Sequence, residues 1–401
     1  MPLAGRSTYR TGPAIGVSAR GTRPSTTYGE AMNSSMVDWD LAVATGRKLV
    51  SPGPTVTAAE ARATVSQLRD FAAEAHGHVA GFTRLDAPAG GGEAVVVVDR
   101  PGWIQANASG FRTVLEPLVE KIQQKKPKSS PVADALGSKV TGVQTGSLLA
   151  FLATKVLGQY ELFPPYGVDP TDKPGRLLLV APNIVSAERE MGVDPRDFRL
   201  WVCLHEETHR VQFGAVPWLR GHMMDEITAF VGATDVDPAA VAERLKAAAA
   251  AAYGAIRDGF DPDSGEGSGG SLVEAVQTPA QREILDRITA LMSLLEGHAD
   301  FVMDGVGPSV IPSVATIRAK FQLRRKEASR VEQVVRRLLG VDAKLRQYRD
   351  GERFVRGVVE LAGMEGLNRV WARADNLPTK TEIADPQAWV ARVVTPRELP
   401  A

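Results

Sequence analysis

The stretch WVCLHEETHRVQF, residues 201–213, contains the pattern H-E-x-x-H, formed by His205, Glu206 and His209. Positions four apart on an α-helix lie on one face, about one turn from each other. Two imidazoles at that spacing can bind the same tetrahedral zinc ion. The glutamate after the first histidine then stands where a base can take a proton from a water molecule that the metal activates. The stretch therefore predicts a hydrolytic metal centre on a helix.

The residues before and within this stretch predict that it is helical and buried. Asp194 can cap a helix, and Pro195 suits its first position. Apolar residues then recur at Phe198, Trp201 and Leu204, as a buried helix requires. The alternative interpretation is a buried helix whose two histidines only form hydrogen bonds. Burying two histidines and a glutamate without a charge partner costs free energy, and this favours the metal site.

A catalytic zinc ion needs a third protein ligand and one position left open for water. A later stretch, EGHAD at residues 296–300, offers two acids and a histidine. Glu296 and Asp300 are four apart and share a helix face, whereas His298 points about 200° away from Glu296. One carboxylate can bind the metal while the other accepts a hydrogen bond from the far ring nitrogen of a ligating histidine. His298 is a second candidate for the third ligand, and also a candidate for stabilising an oxyanion.

The pattern H-E-x-x-H followed on a later helix by E-x-x-x-D, within an E-G-x-A context, resembles the glutamate-zincin metallopeptidases, which include the thermolysin-like and aminopeptidase groups. The resemblance implies that His205, His209 and Glu296 bind zinc, that Glu206 is the general base and that Asp300 supports a ligating histidine. The spacing departs from those groups, because positions 209 and 296 are 87 residues apart. Helical insertions are therefore expected between the two motifs.

More closely, the chain resembles the zincin-like type 2 family of actinobacteria, whose members are often associated with biosynthesis of the deazaflavin coenzyme. The match runs from about Met36 to the C-terminus. It includes the segments VDW at 37–39, HEETH at 205–209, EGHAD at 296–300 and KLRQY at 344–348. The resemblance implies a metal hydrolase, and it does not imply that this chain makes a coenzyme.

The composition argues against several classes of partner. The 401 residues carry 47 basic and 47 acidic side chains, so no overall field attracts nucleic acid or an anionic membrane surface. No uncharged apolar run reaches the roughly 18 residues of a membrane span, and the N-terminus lacks the apolar region of a signal peptide. The single cysteine, Cys203, suits a reducing compartment and is expected to pack in the core. We therefore expect a cytoplasmic protein without nucleic-acid or membrane partners.

The hydrophobic pattern predicts mainly α-helices with a small β-sheet. Together with the resemblance, this predicts a zincin-like metallohydrolase fold with helical insertions. Residues 1–35 are rich in Gly, Ser, Thr, Pro and Arg and are expected to be a disordered extension. Residues 36–401 are expected to form one mostly helical domain, with a possible internal boundary in the glycine-rich stretch 259–271.

Four segments around the motifs have predicted structures. Val95–Val98 and Arg176–Val180 are predicted strands, since both are short apolar runs. Gly137 to Tyr160 is predicted as one buried helix. Thr278 and Pro279 are expected to begin the long helix that carries the EGHAD segment.

Two functions of different classes follow from these observations. The first is a zinc-dependent peptidase or amidase, in which Glu206 accepts a proton from water and passes it to the leaving amine. The second is a catalytically inactive scaffold or binding protein that keeps the zincin shell. An open position at the metal beside a cleft would favour the enzyme, whereas a fourth protein ligand such as His298 would favour the scaffold. The expected substrate is a peptide or another amide, and the sequence specifies no oligomeric state.

Overall fold

The structure is a computed structural model, and it describes residues 36–87, 95–125, 131–162, 175–233, 278–326 and 341–395. The predicted extension, residues 1–35, and the possible internal boundary at 259–271 lie outside these residues. The expected division into domains therefore stays a prediction. Helices dominate the described residues and a small sheet accompanies them, which confirms the predicted mainly α fold class.

The helices are numbered here in chain order. They are α1 (Trp39–Leu49), α2 (Ala58–Thr83), α3 (Arg100–Lys125), α4 (Pro131–Leu152), α5 (Ala181–Met191), α6 (Pro195–Ala215), α7 (Pro217–Gly232), α8 (Pro279–Val306), α9 (Val314–Lys326), α10 (Val341–Asn368), α11 (Lys380–Ala384) and α12 (Pro386–Val393), with short 3-10 helices at Arg369–Trp371 and Ala374–Asn376. None of these described helices combines the length and the apolar character that crossing a lipid bilayer requires. The H-E-x-x-H pattern lies on α6, and the EGHAD segment lies on α8.

Within the described residues the sheet has three strands in the order β1-β3-β2. They are β1 (Val96–Val98), β2 (Gly158–Glu161) and β3 (Arg176–Val180). Strand β1 runs parallel to β3, and β2 runs antiparallel to it, with Gly158 opposite Leu179. The central strand β3 is buried from its second residue onward, in agreement with its continuous apolar run. Both predicted strands are confirmed, although β1 begins one residue later than expected.

The prediction of one buried helix from Gly137 to Tyr160 is wrong in its burial, because Val140, Val143 and Leu148 on α4 are exposed, and it is wrong at its C-terminal end. Helix α4 ends at Leu152, and a turn follows in which the backbone N–H of Lys155 donates to the Leu152 carbonyl. The last residues of the predicted helix form strand β2 instead. This strand obtains its hydrogen bonds from β3, a segment farther along the chain, so local periodicity does not reveal it.

Side-chain caps begin the two helices that carry the motifs. The Asp194 carboxylate accepts a hydrogen bond from the backbone N–H of Asp197, and Pro195 occupies the first position of α6. Thr278 and Gln281 form a reciprocal capping box at the start of α8. Both helix starts agree with the sequence-based predictions, because each depends only on neighbouring residues.

Helix α6 lies in the main hydrophobic core. The side chains of Phe198, Leu200 and Leu204 are fully buried, and α2 and α8 pack against the helix. Burial stabilises the fold by about 1.5–3 kcal/mol for each such side chain. Cys203 is buried in this core as predicted, with its sulfur 3.7 Å from the backbone carbonyl oxygen of Leu68 on α2. A second, smaller core joins α1, α3, α4 and the sheet.

Two glycines bring α8 close to α10. A Cβ atom built on Gly297 would lie 2.1 Å from the carbonyl carbon of Gly351, so no larger residue fits there without a shift. Gly297 directly follows Glu296 in the chain. The close contact therefore helps to set the position of the Glu296 carboxylate.

Candidate metal centre

Three side chains from two helices meet at one point. His205 and His209 lie one turn apart on α6, and Glu296 lies on α8. One nitrogen or oxygen atom from each lies within 4.8 Å of the other two. The Nε2 atoms of the histidines are 3.3 Å apart, and Oε2 of Glu296 is 3.6 Å from Nε2 of His205 and 3.9 Å from Nε2 of His209. The structure thus brings together the three residues that the resemblance implies as metal ligands.

The donor atoms and their separations fit a zinc ion. Ligand atoms at the usual zinc distance of about 2.0–2.1 Å and at tetrahedral angles stand roughly 3.3 Å apart. The measured separations run from 3.3 to 3.9 Å. Two imidazoles and one carboxylate make up three protein ligands, as in catalytic zinc sites that keep a fourth position for water or substrate.

The charges around the site favour a cation. Burial lowers the pKa of His205, but its polar contact with Glu296 and the charges of Glu206, Glu296 and Asp300 outweigh this effect and raise the pKa to about 9. Burial lowers the pKa of His209, the charge of Glu296 opposes that shift, and the charge of His205 adds to it. The carboxylates that stabilise a proton on His205 also stabilise a metal ion, so metal binding competes with protonation.

Each of the two histidines has a neighbour at its far ring nitrogen. Nδ1 of His205 lies 3.2 Å from the sulfur of Met303 on α8. Nδ1 of His209 lies 2.9 Å from Oε1 of Gln212. Contacts of this kind orient an imidazole ring, and here they leave both Nε2 atoms facing the Glu296 carboxylate.

Asp300, which the resemblance implies as a support for a ligating histidine, lines the cavity onto which the three ligand residues open. Its charge raises the pKa of His205. Its carboxylate is 4.0 Å from the guanidinium group of Arg318, which also pairs with Asp304 at 2.8 Å. A hydrogen bond from a ligating histidine to Asp300 stays a prediction, and the contact at the far nitrogen of His205 described above is with Met303.

His298 lies away from the three ligand atoms. Its side chain is fully buried, and its Nδ1 atom is 3.0 Å from Nε2 of Gln212. Its ring packs against Trp371, with the ring centroids 5.5 Å apart. Burial and the charge of His209 lower the pKa of His298 to about 3, so the imidazole is neutral near pH 7. Of the two candidates for the third ligand, Glu296 is the one that faces both histidines of α6.

Glu206 is buried beside the ligands and lines the same cavity. Burial raises its pKa to about 7, while the charge of His205 lowers it and the charge of Glu296 raises it. A carboxyl group that titrates near neutrality suits proton transfer. Strand β2 passes directly beside it, because a Cβ atom built on Gly158 would lie 2.6 Å from the carboxyl carbon of Glu206. Gly158 therefore leaves the space that the Glu206 side chain occupies.

Glu207 follows Glu206 but lies in the contact between α6 and α2. Its side chain is completely buried, and Arg210 donates hydrogen bonds of 2.6–2.9 Å to its carboxylate. Nδ1 of His76, on α2, lies 2.7 Å from the same carboxylate. Removing one partner of a buried ion pair typically costs about 3–5 kcal/mol. This cluster holds the helix that carries the histidines against its neighbour.

The three ligand residues and Glu206 open onto a cavity of about 780 Å³. This volume lies in the usual range for binding sites of small molecules, roughly 300–1,000 Å³. Strand β2 forms one wall, and α8 and α9 contribute others. The further lining residues are Lys155, Val156, Leu157, Gly158, Gln159, Tyr160, Leu162, Trp201, Val202, Phe213, Met292, Leu295, Asp300, Met303, Arg318, Phe321, Gln322 and Glu352.

Three residues of the site were not predicted from the sequence. Gln212 lies three positions after His209, and this helical spacing was a usable signal that the two side chains meet. Met303 lies seven positions after Glu296 and so shares its helix face, which was a weaker signal of the same kind. Gly158 had no signal, because the strand that contains it was predicted as helix.

Comparisons with known proteins agree with this geometry. A model of the zincin-like metallopeptidase family matches residues 37–390. A crystal structure from Chloroflexus aurantiacus, described as a candidate hydrolase with a novel fold, is 30% identical in sequence. That match covers 90% of this chain and 100% of the other, with a TM-score of 0.63. None of the curated proteins matches the chain.

The family match includes both α6 and α8 and therefore spans all three ligand residues. It extends over most of the sequence, and the similarity to the Chloroflexus structure extends over 90% of it. Both comparisons point to a hydrolase. The chain therefore belongs to the zincin-like metallopeptidase family and is a candidate hydrolase.

Proposed function

We propose that the chain is a zinc-dependent peptidase or amidase, in which His205, His209 and Glu296 hold the metal and Glu206 is the general base. The observation that carries this proposal is the convergence of three ligand atoms within 4.8 Å in the cavity that Glu206 also lines. Membership of a metallopeptidase family supports hydrolysis as the reaction. Two imidazoles and a carboxylate, with close to tetrahedral separations, support zinc as the metal.

The chain's own residues supply the proton transfers of amide hydrolysis. A zinc ion held by the three ligands would polarise the substrate carbonyl and lower the pKa of a neighbouring water molecule. Glu206 accepts a proton from water as the water oxygen attacks the carbonyl carbon. Glu206 then passes this proton to the nitrogen of the leaving amine, and the C–N bond breaks. The products are a carboxylic acid and an amine, and Glu206 is again ionised.

The position of β2 favours an extended peptide as the substrate. Within the described sheet β2 is an edge strand, since β3 is its neighbour on one side only. Residues 158–160 of this strand line the cavity. Backbone N–H and C=O groups on the outer edge of such a strand can pair with an extended chain. This argument supports a peptide more than a small amide.

A scaffold without turnover is the less well supported alternative. A scaffold would be expected to close the metal site with a fourth protein ligand, and the sequence offered His298 as the candidate. His298 instead contacts Gln212 and packs against Trp371. The three ligand residues also line an open cavity of about 780 Å³, in which a substrate has room.

Substitutions of the base and of the ligands are expected to have different effects. Glu206→Gln should keep zinc and lose hydrolysis by about 10²–10⁴-fold, because general base catalysis contributes that much. His205→Ala and Glu296→Ala should lose zinc, since each removes one of three ligands. Zinc content is measured by mass spectrometry, and hydrolysis is measured on a peptide library.

Glu365→Gln is the matched control, because Glu365 is an exposed carboxylate whose side chain is 87% accessible. It should change neither zinc content nor hydrolysis. Unchanged zinc in both His205→Ala and Glu296→Ala would remove the proposed site. Zinc binding by the wild type without hydrolysis of any peptide would favour the scaffold instead.

The narrower assignments from the sequence stay predictions. They are the actinobacterial type 2 branch with its deazaflavin association, the cytoplasmic location, and the expectation of neither nucleic-acid nor membrane partners. The branch assignment rests on four short motifs of the sequence, and the other two rest on charge balance and the single cysteine.

A further inference from the structure

Gln212 is a fully buried amide in the contact between α6 and α8. Its Oε1 atom lies 2.9 Å from Nδ1 of His209. Its Nε2 atom lies 3.0 Å from the backbone carbonyl oxygen of Leu295 and 3.0 Å from Nδ1 of His298. The amide therefore links one histidine of the metal centre to the helix that carries Glu296.

The backbone carbonyl of Leu295 decides which way this amide points. A carbonyl oxygen only accepts hydrogen bonds, so the group that faces it must be the NH₂ group of Gln212. The reverse orientation would place two oxygen atoms 3.0 Å apart in a buried position, where neither can donate to the other and the amide protons lose the Leu295 carbonyl as an acceptor. Oε1 of Gln212 therefore faces His209. Because Oε1 only accepts, Nδ1 of His209 must carry the proton.

We propose that Gln212 is a positioning residue that fixes His209 in the tautomer with its proton on Nδ1. The lone pair of His209 is then on Nε2, the atom that faces His205 and Glu296. A neutral imidazole binds a metal ion through such a lone pair. The consequence for the metal rests on the proposed function, whereas the tautomer follows from the hydrogen bonds alone.

The second proton of the Gln212 amide binds His298, whose own Nε2 atom has no hydrogen-bond partner among the described residues. Nε2 of Gln212 can only donate, so Nδ1 of His298 must accept, and the proton of that neutral ring is on Nε2. The amide thus has an acceptor for each of its two protons and a donor for its oxygen. With all three bonds made in a fully buried place, the amide is held in one orientation.

Gln212→Met tests the assignment, because methionine has a similar length and volume but lacks the amide group. The ring nitrogens of His209 are followed by ¹⁵N NMR in the full-length chain, first with a chelator and then with zinc. The wild type should show His209 protonated on Nδ1 in both states. Gln212→Met should show a mixture of tautomers with the chelator and should bind zinc about 10–100-fold more weakly.

Two further variants separate positioning from packing. Gln212→Glu keeps an oxygen that accepts from His209, so the Nδ1 tautomer should persist. Its second oxygen faces the Leu295 carbonyl and can donate to it only when protonated, so this variant should lose stability as the pH rises. Gln281→Met makes the same substitution as Gln212→Met in the capping box of α8, where the hydrogen bond that the Gln281 side chain accepts from the backbone N–H of Thr278 is lost. It should lower the thermal stability and leave zinc affinity and the His209 tautomer unchanged.

Three results would overturn the role of Gln212. The first is a wild type in which His209 is protonated on Nε2. The second is a Gln212→Met variant that keeps the wild-type tautomer and zinc affinity, and the third is a Gln281→Met variant that loses as much zinc affinity as Gln212→Met. A wild type with the expected tautomer that binds no zinc would support the role of Gln212 and contradict the proposed function instead. The two ideas can therefore fail separately.

Discussion

Glu206 is a buried carboxyl group, and burial disfavours its ionised form. Its ordinary pKa is 4.5, and burial raises the pKa to about 7 in the folded chain. The folded state therefore binds this proton more tightly than the unfolded state does. Below pH 4.5 Glu206 is protonated in both states, so its burial does not lower the free energy of unfolding. The loss of unfolding free energy from this buried carboxylate grows as the pH rises above 4.5 and is complete above pH 7.

Glu206→Gln should therefore stabilise the metal-free chain at alkaline pH, because glutamine carries no charge into the buried site. The expected gain in unfolding free energy at pH 8 is on the order of 3 kcal/mol, from a pKa raised from 4.5 to about 7. The gain should shrink as the pH falls from 8 to 5. Denaturant unfolding in the presence of a chelator measures it at both pH values.

Glu365→Gln serves again as the control, since Glu365 is exposed and its ion pair with Arg84 is exposed too, and such surface pairs contribute only about 0–1 kcal/mol to stability. Its unfolding free energy should follow that of the wild type from pH 5 to pH 8. An equal effect of Glu206→Gln at both pH values would show that the substitution acts through packing rather than charge. That outcome would argue against a buried, titrating Glu206.

Strand β2 and helix α6 lie side by side along one wall of the site. Gly158 faces Glu206, and Tyr160 stacks on Phe213 with ring centroids 5.4 Å apart. Residues two apart on a strand share a face, as do residues seven apart on a helix. The strand and the helix therefore run alongside each other, and the absence of a side chain at position 158 makes room for the general base.

Gly158→Ala should impair hydrolysis while zinc stays bound. The new Cβ would lie 2.6 Å from the carboxyl carbon of Glu206, so either the carboxyl group or the strand must move. A displacement of about 1 Å at a reacting group can cost on the order of 100-fold in rate. Steady-state kinetics and zinc content by mass spectrometry measure the two effects.

Gly81→Ala is the matched control on α2, where a built Cβ meets no atom within 4 Å. It should raise the unfolding free energy by roughly 0.5–1 kcal/mol, because alanine is a better helix former, and it should leave turnover unchanged. Loss of zinc together with activity in Gly158→Ala would count against the prediction. The strand would then be supporting the ligands and not only the base.

The metal centre requires helices that are far apart in the chain to pack together. His209 and Glu296 are 87 positions apart, yet α6 and α8 are in direct contact. Helix α8 packs in turn against α10 through facing glycines. A Cβ atom built on Gly351 of α10 would lie 1.9 Å from the backbone oxygen of Ser293, one turn before Glu296. The position of a ligand thus depends on a third helix that supplies none.

Gly351→Ala should weaken both the fold and the site. Overpacking typically costs about 1–3 kcal/mol of unfolding free energy, and here it would push α10 away from α8. Zinc affinity should fall as well, because Glu296 moves with α8. Chelator competition measures the zinc affinity, and denaturant unfolding measures the stability.

Gly77→Ala provides the comparison for this variant, since Gly77 on α2 has no atom within 4 Å of a built Cβ. It should leave zinc affinity unchanged. Wild-type zinc affinity in Gly351→Ala, despite a measurable loss of stability, would contradict the dependence of the site on α10.

Local patterns account for the elements that were predicted well. Asp194 and Pro195 predicted where α6 begins, and Thr278 predicted where α8 begins, because a cap depends on residues within one turn. The buried strand β3 was predicted from its apolar run. Strand β2 was missed because its four residues, GQYE, carry no such run and pair only with β3. Pairing between distant segments has no local signature.

By itself the sequence determined the mainly helical class, the histidine-bearing face of α6 and the acidic face of α8, because these depend on spacing within one helix. The tertiary structure decided that Glu296 rather than His298 faces both histidines, that Gln212 contacts the far nitrogen of one of them, and that Gly158 makes room for Glu206. Each of these contacts except that of Gln212 joins segments separated by many tens of residues. Helical or strand periodicity describes a segment alone, so only the packing of segments against one another selects such contacts.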